Sequence, residues 1–124
     1  MSSTGGDVAD LRQRLSTFAT RERKLVGGLF ALMIRSPERV RDREWVGEQI
    51  ATLALLSRET DDAEAASPQD AVADVEAYVQ THAAPVLEAA LLLFQHVGAD
   101  LAQKNEPFGF EDAMAQAMTY FPNG

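Results

Sequence analysis

A seam of apolar residues runs through the first part of the chain. Val8, Leu11, Leu15, Phe18, Glu22, Leu25, Leu29 and Leu32 recur at alternating intervals of three and four residues, and Glu22 is the one polar member. That repeat belongs to a helix packed along one face, and it predicts a single helix over 7–35, about 43 Å long at 1.5 Å per residue. Between Leu25 and Ile34 the apolar residues spill out of the seam, with Val26, Phe30 and Met33 adding a second face. A helix that is apolar on every side is surrounded by protein. This end is therefore expected in the centre of a bundle or in a subunit interface. Gly27 and Gly28 fall inside it, where each costs about 1 kcal/mol relative to Ala. Such a cost predicts a neighbouring helix crossing closely, or a kink.

The remaining punctuation is also helical. Ser36-Pro37-Glu38 reads as a stop followed by a capped start, with Asp42 as an alternative cap. Val40, Val46, Ile50, Leu53 and Leu56 then mark a helix over 38–58, with Trp45 beside them. Glu59 to Ser67 is an acidic connector. Ser67-Pro68 opens the next helix, carrying Ala71, Val75, Tyr78 and Val79. Pro85 removes one backbone donor and crowds the carbonyl of Thr81, so a kink or break is expected near 82–84, dividing 68–82 from 85–104. After a loop at Asn105–Gly109, Phe110, Ala113, Met114, Ala117, Met118 and Phe121 define a short helix over 110–121. No stretch alternates as a strand would. The expected fold is an all-α single bundle of four to five helices, with tails at 1–6 and 122–124.

With 124 residues the chain has room for one domain. It has no cysteine, which excludes disulfide scaffolds, thiolate metal sites and cysteine nucleophiles. The segment Met1–Gly6 lacks the basic and apolar regions of a signal peptide. Leu25–Ile34 is too short to cross a membrane, and Pro85–Leu101 is interrupted by Glu88, Gln95, His96 and Asp100. A cytoplasmic protein without membrane contact is the resulting expectation.

Charge is unevenly placed. Up to Arg58 there are 10 basic and 7 acidic residues; from Glu59 onward Lys104 stands against 12 acids, giving the total of −8. Arg35, Arg39, Arg41 and Arg43 around Trp45 form a basic cluster that could meet an acidic partner. Arg39, Arg41 and Arg43 spread over about 200° of a helix, and Glu38, Asp42 and Glu44 interleave with them. Phosphate binding requires uncompensated positive charge, so this cluster argues against a nucleic-acid partner.

Nothing reads as a catalytic, cofactor or metal site. His82 and His96 would lie about 21 Å apart along an unbroken helix, and the residues three before them, Val79 and Leu93, are not the Glu of a di-metal bundle motif. Asp100 shares a helix face with His96 and could orient its imidazole. Glu22 and Glu88 interrupt apolar faces and could be inward carboxylates, or could pair with a residue such as Arg23 or Arg58. Met114 and Met118 with Phe121 could form an adaptable arm for a partner's groove, or simply close the bundle.

Three functional classes follow. The first is a non-enzymatic interaction protein (adaptor, accessory subunit or regulator) working as a homodimer, with the 7–35 and 68–104 segments in the interface. The second is a binder of a small apolar ligand, with a pocket lined by residues such as Phe30, Met33, Trp45 and Phe94 and anchored by Glu22, Glu88 or His96. The third is a metal protein or enzyme centred on His96 and Asp100.

Overall fold

A computed structural model describes residues 4–61, 68–98, 100–101 and 109–121. Among these residues every regular element is helical. The elements are α1 (Thr4–Leu15), α2 (Thr20–Arg35), a 3-10 turn at Pro37–Arg39, α3 (Arg43–Asp61), α4 (Pro68–Leu93) ending in a π turn at Phe94–Gly98, and α5 (Phe110–Met118). The described residues form an all-α fold, and the five helices named here pack as a bundle.

The expected 7–35 helix is two helices. Residues Ser16–Ala19 break it, and the cause is local hydrogen bonding that the apolar seam does not reveal. The Ser16 and Thr17 hydroxyls donate to the carbonyls of Gln13 and Arg14, at 2.6 and 2.9 Å, offering the end of α1 an alternative to continued helix. Ala19 is extended (φ −71°, ψ 166°) and precedes α2. The Glu22 carboxylate reaches back to accept the Ala19 N–H at 2.9 Å, supplying half of a capping box. Arg23 Nε donates to the Phe18 carbonyl at 2.9 Å and ties the corner to the new helix. The helix also begins earlier than expected, at Thr4 rather than Asp7.

Helix α2 is the centre. Leu25 through Ala31, Met33 and Ile34 are all buried, and α3, α4 and α5 of the same chain cover them. No second subunit is needed to bury this stretch, which removes the argument for placing it in a dimer interface. The two glycines let helices in on both sides. A Cβ built on Gly28 would lie 2.9 Å from Leu53 Cδ2 of α3, and one built on Gly27 would lie 3.2 Å from Met118 Sδ of α5. The close crossing expected from the glycine pair is present twice.

Helix α3 starts at Arg43, with Asp42 Oδ1 accepting the Trp45 N–H at 3.2 Å; Pro37 opens only the 3-10 turn. Helix α4 runs through Pro85 without a break. Thr81 and Pro85 are both exposed, so the carbonyl that Pro85 leaves without a helix donor is open to solvent rather than stranded in the core. The break expected near 82–84 is absent; a departure from α-helix comes later, in the π turn, where Gly98 sits against Ile34 of α2. The acidic connector beyond Asp61, the end of the 85–104 segment at Lys104, the loop at 105–108 and the tail at 122–124 lie outside the described residues.

The glycine contacts give a direct prediction. Gly28→Leu forces a large side chain into space that Leu53 fills, and it lowers unfolding stability by about 1–3 kcal/mol, read as a lower urea midpoint. Adding Leu53→Ala to that variant recovers part of the loss. Recovery by a distant truncation such as Leu15→Ala would show that the clash is not at this crossing.

Candidate functional site

A polar node joins the start of α2 to the middle of α4. His82 Nδ1 lies 2.6 Å from Glu22 Oε2, with side chains 30% and 16% exposed. Helical spacing puts Tyr78 one turn before His82, and their ring centroids are 4.2 Å apart. On Tyr78 rests the Arg21 guanidinium, its Cζ 4.3 Å from the ring centroid, a cation–π geometry. Arg21 Nη2 donates to the Ala54 carbonyl of α3 at 3.3 Å. Four residues thus tie three helices together.

Chemically this is an imidazole held by a carboxylate, with a phenol beside it. Burial pushes the Tyr78 hydroxyl up from its ordinary value of 10.0; the Glu22 carboxylate adds to the rise and the Arg21 guanidinium opposes it. The hydroxyl is buried and, like Arg21 Nε, meets no hydrogen-bond partner in the protein. None of these four residues lines the grooves described next. The pair fixes the orientation of the His82 ring between α2 and α4.

The grooves lie along α4. One of about 460 Å³, between α3 and α4, is lined mainly by Val46, Ile50, Leu87 and Leu91 over a floor of Gly47 and Ala83, with Arg43 and Glu88 among its polar residues. Another of about 370 Å³, between α1 and α4, is lined by Phe18, Pro85, Ala89 and Leu92 with Arg14 and Glu88. Ala84 and Glu88 border both. A third, of about 550 Å³, runs along the first half of α4 past Val72, Ala73 and Ala77.

The residues singled out by sequence are dispersed. Glu22 is in the polar node, paired with His82; the Arg58 side chain lies outside the described residues. Glu88 is exposed, 3.7 Å from Arg14 Nη1. His96 and Asp100 are exposed, and among the described residues no three His, Asp or Glu side chains gather as metal ligands. Arg35, Arg39, Arg41 and Arg43 are exposed along the α2–α3 corner, while Trp45 is half-buried against the core. Phe30 and Met33 are fully buried, and Phe94 and Trp45 pack against the same core. Phe121 is 3% exposed; Met114 and Met118 lie over Gly27. Arg21 and Tyr78 were not foreseen. Their signal was the i, i+4 spacing of Tyr78 and His82 opposite a carboxylate in an apolar seam.

Comparison with protein-family models, with characterised proteins and with solved structures finds no match. The fold and these surfaces define an all-α protein, and the functional reading rests on its own residues.

The node makes its own prediction. The folded protein holds the Tyr78 proton to higher pH than the unfolded chain does, so Tyr78 contributes stability below pH 10.0 that is lost as pH rises through its folded value. Tyr78→Phe flattens that alkaline loss in denaturation series. At pH 7 it costs little stability, because the hydroxyl it removes is buried without a partner. Glu22→Ala, by contrast, costs about 1–2 kcal/mol at pH 7 through the lost cap and the stranded imidazole.

Proposed function

We propose that this chain is a non-enzymatic cytoplasmic interaction protein, an adaptor, accessory subunit or regulator, that works as a dimer through the outer face of α4. One observation carries the reading. The stretch Val72–Gly98 is long and apolar enough to cross a membrane, yet 22% of its most apolar part is buried inside the protein. Soluble helices of that composition are normally enclosed, as α2 is here. An apolar helix left at the surface marks a place where another molecule sits.

The non-enzymatic part of the reading draws support from the polar node. Its carboxylate is already engaged twice, by the Ala19 N–H and by His82. A small apolar ligand is the second reading. It is favoured by the α3–α4 groove, whose size of about 460 Å³ falls within the usual range for ligand pockets, with Glu88 as its polar anchor.

Native mass spectrometry of untagged protein from its own cells separates the two. The interaction reading predicts an assembly of at least two polypeptides, lost on Ala84→Arg, which places a charge on the ridge between the grooves. A single chain carrying a few hundred daltons of added mass, or a metal ion, would contradict it.

A further inference from the structure

Helix α4 carries an inner apolar seam and, on the opposite side, an outer one interrupted by Gln80. The inner one includes Val75, Val86, Ala90, Leu93 and Val97, all buried. The outer one is Ala73, Ala77, Gln80, Ala84, Leu87 and Leu91, spaced alternately by four and three residues. Its first four members are exposed and the two leucines half-buried at the edge of the α3–α4 groove. An alternating seam of this kind is the pattern that receives a helix. Helix α3 continues the same face with Arg43 and Gly47, and a Cβ added to Gly47 would meet nothing within 4 Å.

We infer that the occupant of this face is a second copy of the chain, docked α3–α4 hairpin against α3–α4 hairpin around a two-fold axis. The inference rests on the interaction reading above and names its partner. Charge supports it first. The groove is lined by the cation Arg43 and the carboxylate Glu88; among the described residues Glu88 meets Arg14, at 3.7 Å and well exposed. A two-fold interface brings each patch against itself, so one copy's Arg43 can answer the other's Glu88, twice. Neither a lipid surface nor a uniformly charged partner uses both.

Area supports it second. The 19 residues of α3 and 26 of α4 make a face about 28 Å by 20 Å where they run side by side. That is about 560 Å² in flat projection, and more as corrugated accessible surface, close to the roughly 800 Å² per partner of a standard stable interface. Either helix alone would offer about half. The net charge of −8 per chain opposes association at long range, but at 0.15 M salt that repulsion is screened beyond about 8 Å, leaving the contacts at the face to decide.

Sedimentation equilibrium of the purified protein at 0.15 M salt, with circular dichroism confirming that each variant folds, tests this. The wild type is expected to be a dimer at micromolar concentration and Ala84→Arg a monomer. Arg43→Glu alone and Glu88→Arg alone each weaken self-association by about tenfold or more, as two attractive contacts become repulsive. Mixed in equal amounts, these two variants restore association, because each chain then supplies the charge the other lacks. A monomeric wild type overturns the inference. So does a dimer indifferent to Ala84→Arg, or one whose charge variants do not rescue each other. If the purified protein is monomeric while its cellular assembly still depends on Ala84, the adaptor part of the interaction reading stands, and the dimer and the second copy are wrong. If the monomer instead floats with phospholipid vesicles and Ala84→Arg abolishes flotation, the face belongs to a membrane and both fail.

Discussion

Two helices cross α2 at adjacent glycines, and the arrangement of the other elements follows from those crossings. A side chain at Gly28 would displace Leu53, whose Cδ2 lies 2.9 Å from the Cβ position, and one at Gly27 would press on Met118, whose Sδ lies 3.2 Å away. Each glycine weakens α2 as a helix by about 1 kcal/mol. Close packing of Leu25, Leu29, Phe30 and Met33, all fully or almost fully buried, offsets that loss, since burying each large apolar side chain contributes about 1.5–3 kcal/mol. Helix α5 has only 9 residues and would not persist alone in water. It holds because Gly27 gives it a surface to lie on.

Enclosing α2 from within one chain has a consequence for α4. A helix at the centre uses one side of each neighbour, and α4 presents Val75, Val86, Ala90 and Leu93 inward. Its opposite side carries Ala73, Ala77 and Ala84 exposed and Leu87 and Leu91 half-buried. The polar node fixes which side is which: Glu22 and Arg21 on α2 hold His82 and Tyr78 of α4, and Arg21 also reaches the α3 backbone. Rotating α4 to hide its outer seam would break these contacts and strand a carboxylate and an imidazole in a half-buried place. The node thus sets the register of three helices and leaves the outer face on display.

Much of this was legible in the residues. The all-helical class, the burial of the 25–34 stretch, the close approach at Gly27 and Gly28 and the Asp42 cap follow from spacing and local chemistry. The break at Ser16–Ala19 was hidden because Leu15, Phe18 and Leu25 keep the helical period through it; only the hydroxyls of Ser16 and Thr17 and the back-reaching Glu22 betray it, and Ala19 lacks the side chain of an ordinary cap. Pro85 misled in the other direction, since a proline on an exposed side of a long, well-packed helix can be accommodated. The node was illegible for a different reason. Glu22 and His82 are 60 positions apart, and no local pattern states that two such residues meet.

Backbone amide hydrogen exchange, resolved by residue at neutral pH, tests the central place of α2 most directly. If α2 is the element on which the others depend, amides from Leu29 to Ile34 exchange most slowly, through global unfolding. Those of α5 open more readily, while α2 stays protected. Faster exchange in Leu29–Ile34 than in α4, or loss of α2 protection whenever α5 opens, would contradict the account.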